Sequence, residues 1–186
     1  YPTGVDINGA PLANGLADPH YTFISGPQAP PIGIFPQAVI QSNHPAWDAN
    51  DGGSKWIGVT GTGTNAVATG SPYIYEMGFD VPLDADLATV IISGDWWADD
   101  SGGATTILLN GIDTLVPGNP AYNLINGAPF TIFDGMNGAA FAHGTNTLRF
   151  SVINGSVGPH GLKVGNLSGT YVTTVPEPST FALAAF

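Results

Sequence analysis

Glycine and proline recur along this chain at intervals of roughly eight to twelve residues, the spacing of turns between short antiparallel strands. With 26 glycines and 16 prolines in 186 residues, nearly every window that could show a 3.6-residue period is interrupted by a residue that opposes helix. The segments between are short and rich in Val, Ile, Thr and aromatics. Tyr73 to Phe79 puts Tyr73, Tyr75, Met77 and Phe79 on one face and Ile74 and Glu76 on the other. Ala88 to Gly94 and Thr105 to Leu109 are β-branched or apolar runs, and the second ends in the turn pair Asn110-Gly111. Thr147 to Asn154 alternates Leu148, Phe150 and Val152 against Thr147, Arg149, Ser151 and Ile153, and Gly161 to Thr174 supplies one or two closing strands. A single turn of helix at Ala139 to His143 is the most that the pattern allows. The expected fold is all-β, an antiparallel jelly-roll-like β-sandwich with extended N- and C-terminal arms. Its divisions are an N-terminal extended arm over 1–20, a sandwich domain over 21–174 and a C-terminal tail over 175–186. A chain of this length buries roughly two-thirds of its unfolded surface in one domain.

Charge excludes one class of partner. Three Lys and Arg stand against fourteen Asp and Glu, a formal net charge of -11, and such a field repels phosphate backbones, so no nucleic acid is expected. Divalent cations are its natural counterions. The absence of cysteine rules out disulfides, thiolate metal sites and cysteine nucleophiles.

Near the C-terminus, Val175-Pro176-Glu177-Pro178-Ser179-Thr180 precedes the apolar stub Phe181-Ala182-Leu183-Ala184-Ala185-Phe186. This string resembles the PEP-CTERM sorting signal of exported proteins in Gram-negative-type bacteria. In that family an apolar membrane span and an Arg-rich end follow, and an exosortase-type processing enzyme acts on them. Here the stub runs six residues and no Arg cluster follows. The resemblance implies Sec-type export, a place at the cell surface or outside the cell, and an exosortase as a transient partner.

The body resembles the galactose-binding-like and discoidin-type β-sandwiches. The residues that carry this are His44-Pro45-Ala46-Trp47-Asp48-Ala49-Asn50-Asp51-Gly52-Gly53-Ser54-Lys55-Trp56-Ile57, then Gly94-Asp95-Trp96-Trp97-Ala98-Asp99-Asp100, then Gly144 to Val152, closed by Gly158-Pro159-His160-Gly161-Leu162. In discoidin-like families an Asp-Gly…Ser/Thr-x-Trp loop wraps a structural calcium ion, and Asp51-Gly52-Gly53-Ser54-Lys55-Trp56 fits that outline. The resemblance therefore implies Ca2+ as the one candidate cofactor, with Asp48, Asn50, Asp51 and Ser54 as its oxygen donors. A Gly-bent loop can supply the six to eight hard oxygens that calcium takes. The competing reading is an Asp/Asn/Gly turn bonded to its own backbone.

A second acidic group, Asp95, Asp99 and Asp100, flanks the adjacent pair Trp96-Trp97. In an extended strand those two rings point to opposite faces, one into the core and the other outward or into an interface. An outward ring covers the apolar face of a sugar while nearby carboxylates take its hydroxyls, which makes Trp96, Trp97, Asp99 and Asp100 the candidate carbohydrate-binding residues. The histidines His20, His44, His143 and His160 are scattered and read as hydrogen-bonded turn residues. No nucleophile elbow is present, Gly61-Thr62-Gly63-Thr64 lacks the lysine of a phosphate loop, and the only glutamates are Glu76 and Glu177. No enzyme is expected.

Two functions from different classes fit these residues. One is a structural protein of the cell surface or extracellular matrix that forms a homopolymer or filament, its arm adding a strand through Val5 and Ile7 to a neighbour's sheet edge. The other is a carbohydrate-binding module that links cells to extracellular polysaccharide.

Overall fold

A computed structural model describes residues 1–31, 33–64, 67–70, 72–100, 105–116 and 120–174. The sorting motif Val175 to Thr180 and the stub at 181–186 lie outside the described residues. Among these residues the strands are β1 (Ala17–Ser25), β2 (Gln37–Ile40), β3 (Ile57–Gly58), β4 (Tyr73–Val81), β5 (Ile91–Asp99), β6 (Thr106–Leu109), β7 (Ile112–Asp113), β8 (Ala128–Phe133), β9 (Gly144–Val152) and β10 (Gly161–Thr170). All pairings between them are antiparallel, in the order β7-β6-β9-β4-β1-β2-β3-β10-β5-β8. The short strands β2 and β3 carry this order around a bend, so that β6-β9-β4 faces β10-β5-β8 as the two layers of a jelly-roll-like sandwich.

Alternation places the core between the layers. Tyr73, Tyr75 and Met77 of β4 are buried with Leu148, Phe150 and Val152 of β9, as the period of two requires. From the opposite layer come Ile92, Trp96 and Ala98 of β5, Phe130 and Ile132 of β8, and Leu162 and Val164 of β10. Phe150 joins the two sides, with ring centroids 5.8 Å from Trp96, 6.1 Å from Phe130 and 6.2 Å from Tyr21. Asn110-Gly111 makes the β6–β7 turn with positive φ at both residues, 50° and 85°. Ala88 and Thr89, expected as strand, belong instead to the 3₁₀ turn Leu87–Thr89 capped by the Asp86 carboxylate, and β5 begins after it at Ile91. The one helical turn expected at Ala139 to His143 lies instead at Met136–Gly138.

Residues 1–20 are not a free arm. Thr3 and Val5 are buried, the Thr3 N–H donates to the Val164 carbonyl at 3.0 Å, and the Lys55 N–H donates to the Thr3 carbonyl at 2.9 Å. The Gly4 N–H donates to the buried Asp18 carboxylate at 2.6 Å, and the Tyr1 ring stacks on His20 at 3.9 Å. Strand β1 already begins at Ala17. Of the two residues expected to reach a neighbour's sheet, Val5 is buried in its own molecule and Ile7 is exposed.

Candidate functional site

Strands β5 and β10 carry a second cluster on the side away from the main core. Their register sets Gly161 opposite Asp99, Lys163 opposite Trp97 and Gly165 opposite Asp95, so these six residues share the outer face while Trp96 and Val164 point inward. Two of them are glycines for steric reasons. A Cβ on Gly161 would lie 2.9 Å from the Trp56 ring and 3.0 Å from the Trp47 ring, and one on Gly165 would meet Ser54 and Trp97. The bare backbone is the floor on which Trp47, Trp56 and Trp97 pack, with Trp47 and Trp56 centroids 4.3 Å apart. The loop from Asn43 to Trp56 closes over them. Asn50 holds that loop, donating its Nδ2–H to the Gln41 carbonyl at 2.9 Å and accepting the Trp56 N–H at 2.7 Å. The Trp56 indole N–H donates to the Asp48 carbonyl at 2.8 Å and that of Trp97 to the Leu124 carbonyl at 2.6 Å.

A single ammonium organises the cluster. Lys163 is fully buried; its Nζ donates to Asp48 Oδ2 at 2.8 Å and to the Ala49 carbonyl at 2.6 Å, lies 3.2 Å from Asp51 Oδ2, and sits 4.5 Å from the Trp97 ring centroid. Burial pushes the Asp51 carboxyl up, but N–H groups of Gly53 and Ser54 and the Lys163 charge outweigh it and hold it below the usual range. The residues proposed for calcium are thus brought together around a different cation. Asp48 and Asp51 face the ammonium, the Asn50 side chain is spent on the backbone, and the Ser54 N–H donates to Asp51 Oδ1 at 2.7 Å. A divalent ion placed there would meet a fixed positive charge and too few free oxygens. The set does not fit calcium, and the loop is an Asx-type turn clamped by lysine.

Beyond the clamp lies Asp99. Its carboxylate is buried and accepts the Trp47 indole N–H at 2.7 Å. Burial raises its pKa to about 7; the Trp47 bond opposes the rise, and Asp100 adds to it by accepting a hydrogen bond from the protonated form and by its charge. Asp100 is half-buried and accepts the Gly155 N–H at 2.8 Å. Beneath them His160 is fully buried, 2.9 Å by Nε2 from the Tyr75 hydroxyl and 4.1 Å by ring centroid from Tyr73. Burial lowers its pKa to about 3, against a smaller upward pull from the Asp99 backbone and the Asp100 charge. His160 is therefore hydrogen-bonded, as expected, but as a neutral residue of the core. His44, half-buried 5.7 Å from Trp47, and Tyr122, which packs on the tryptophans and whose carbonyl accepts the Asp48 N–H at 2.8 Å, stand at the rim.

The expected sugar-binding set is therefore divided. Trp96 and Trp97 do point to opposite faces, but both are buried, at 1% and 4% exposure. Trp96 belongs to the sandwich core and Trp97 to the outer cluster, so neither offers an open ring to a sugar. Asp99 and Asp100 remain side by side at the loop end. Sequence reasoning missed Lys163, Tyr122 and the role of Gly161. The available signal was scarcity: with three Lys and Arg in the chain, a lysine inside an alternating strand has to be explained by acids facing it.

No protein-family model matches the chain, and no curated protein matches it. Among solved structures, a family 35 carbohydrate-binding module from an environmental isolate aligns with a TM-score of 0.43 at 10% identity, over 85% of this chain and 96% of its own. The CBM35 of Paenibacillus barcinonensis aligns with a TM-score of 0.38 at 18% identity, over 83% of this chain and 94% of its own.

Two outcomes follow from the geometry. Replacing Lys163 with Met leaves Asp48 and Asp51 facing each other without a cation. Because their side chains keep 22% and 56% exposure, the expected loss is about 2–3 kcal/mol, below the full cost of breaking a buried pair. Urea unfolding measures it, and saturating calcium should neither stabilise the parent chain nor rescue K163M. The second outcome concerns pH. From about pH 4 to 7 the folded state keeps a proton on Asp99 that the unfolded chain has released, so this group's contribution falls as pH rises. From about pH 3 to 6.5 the unfolded chain holds a proton that buried His160 lacks, so its contribution rises with pH. The two oppose each other in the shared interval. Relative to the parent, Asp99→Asn should gain stability as pH rises from about 4 to 6.5 and His160→Gln should lose it. Parallel curves for parent and variants would contradict the assignment.

Proposed function

We propose that this domain is a non-catalytic carbohydrate-binding module whose contact surface is the loop end formed by Asp99 and Asp100, with Trp47 behind them and His44 and Tyr122 at the rim. The observation that carries the reading is the adjacent carboxyl pair held rigidly over an aromatic floor and free of basic partners. All three basic side chains are engaged elsewhere: Lys163 in the clamp, Arg149 with Glu76 across β9–β4, and Lys55 with the Leu12 carbonyl. A hydroxyl-rich ligand supplies donors to the acceptor positions of Asp100 and Asp99 that Gly155 and Trp47 do not fill, and half-buried aromatic edges cover its apolar faces.

Export to the cell surface or matrix, by way of the tail at Val175 to Thr180, completes the proposal and makes extracellular polysaccharide the fitting partner. It rests on the sequence motif alone.

Affinity electrophoresis and calorimetry with neutral bacterial exopolysaccharides and their oligosaccharides test the site. Binding should fall at least about tenfold on Asp100→Asn or Tyr122→Ala, the effect of losing one good polar or aromatic contact, while the remote surface change His143→Ala leaves it unchanged. Bound oligosaccharide should be recovered intact. Binding unaffected by both site variants would reject this surface.

A further inference from the structure

The loop end presents more hydrogen-bond acceptors than donors to fill them. Asp100 accepts the Gly155 N–H, and its own N–H donates to the Ile153 carbonyl at 3.1 Å, so residues 153–155 bracket it. Asn154 between them is buried; it turns Nδ2 to the Val67 carbonyl at 3.0 Å and leaves Oδ1 without a partner. On the other flank His160, fully buried, commits Nε2 to the Tyr75 hydroxyl, and Nδ1 has no aligned partner on the side where the Asp99 backbone and the Asp100 charge act on the ring. Buried polar atoms are rarely left unfilled, and here two of them border a carboxyl pair that no basic side chain faces.

We propose that the glycan this surface takes bears a primary amine, its ammonium held by the carboxyls of Asp99 and Asp100 beside Trp47. The inference rests on the carbohydrate-binding reading above and narrows it to one class, amine-bearing hexosamine chains, in preference to neutral or acidic sugars. Charge selects the class first. With a formal net charge of -11 the chain draws cations toward itself, and a sugar carboxylate or sulfate would meet Asp100 with no cation between them. Coordination then separates an ammonium from a metal ion. Among the described residues no three His, Asp or Glu side chains converge as a metal ion needs, whereas an ammonium is bound by hydrogen bonds to the acceptors within reach. It brings three donors and a charge, and charge-assisted bonds are about twice as strong as those from a hydroxyl. Protonation agrees. Burial raises the Asp99 pKa to about 7 against the Trp47 bond, with Asp100 adding to the rise, so the unliganded pair retains a proton where an ammonium would supply the positive charge.

Oligomers of glucosamine and of N-acetylglucosamine, matched in length, isolate that charge, and calorimetry on the full chain compares them. At about pH 6, where a primary amine is protonated, the parent should bind the glucosamine series at least about tenfold more tightly, the effect of one charge-assisted bond. Asp100→Asn keeps an oxygen for the Gly155 N–H and should bring the two series within about twofold of each other. Asp84→Asn removes an equal charge and should keep the preference, because β4 runs from Tyr73 beside His160 to Val81 and the exposed Asp84 lies beyond its far end. Without any substitution, the glucosamine series should shift the Gly155 amide resonance, which reports on Asp100. Equal affinity for both series, lowered alike by Tyr122→Ala, would overturn the inference and leave the carbohydrate-binding reading standing. Failure of glucosamine oligomers to bind would overturn it too, and the exopolysaccharide measurement then decides the broader reading. A preference that survives Asp100→Asn, or that Asp84→Asn removes equally, would overturn it by assigning the attraction to diffuse surface charge.

Discussion

The loop end of this domain depends on one buried ammonium. Lys163 has no exposed surface, and moving a charge that far from water costs several kcal/mol unless partners surround it. Asp48, the Ala49 carbonyl, Asp51 and the Trp97 ring surround it. The first three belong to the loop from Asn43 to Trp56 and the ring to β5, so satisfying one cation on β10 determines how that loop closes on β5 and β10. With the loop closed, Trp47 is carried over Gly161 and its indole N–H is placed on Asp99. Calcium often performs this task in acidic loops; here the positive charge is covalently part of the chain.

Strands β5 and β10 can do this because they have two buried faces. On the inner face Trp96, Ala98, Leu162 and Val164 complete the sandwich core; on the outer face Gly161, Lys163 and Gly165 alternate with them and receive the indoles. A sheet layer covered on both sides loses the usual polar outer row, and the glycines are what make room for the second cover. The consequence for function is rigidity. Asp99 is held by Trp47 and Asp100 by Gly155, and the arrangement is set before any ligand arrives, which lowers the ordering cost of binding.

Much of the fold is legible in the sequence, and the reason is alternation. The runs at β4, β6 and β9 pair a buried face with a solvated one, and their period of two survives reading one residue at a time. Strand β8 has the same alternation, Ala128, Phe130 and Ile132 against Pro129, Thr131 and Phe133, but its proline hides it. Strand β1 is obscured by the Gly/Pro-rich stretches around it. What the sequence could not show is long-range placement. Lys163 lies more than a hundred residues from Asp48, so nothing local distinguishes a calcium loop from a lysine clamp. Likewise the local reading of Trp96-Trp97 yields opposite faces correctly but cannot see that loops from elsewhere cover the outer one. The N-terminal segment looks like an arm because its partners Val164 and Lys55 are supplied by a distant strand and loop.

The most direct test of this account is the side-chain ammonium itself. With only two lysines in the chain, Lys55 and Lys163, nitrogen-15 lysine labelling gives a readily assigned spectrum. The account expects a slowly exchanging Lys163 NH₃⁺ signal with hydrogen bonds to oxygen, unchanged by saturating calcium and lost in K163M. A Lys163 ammonium that exchanges as fast as a solvated one, or that is displaced when calcium is added, would contradict it.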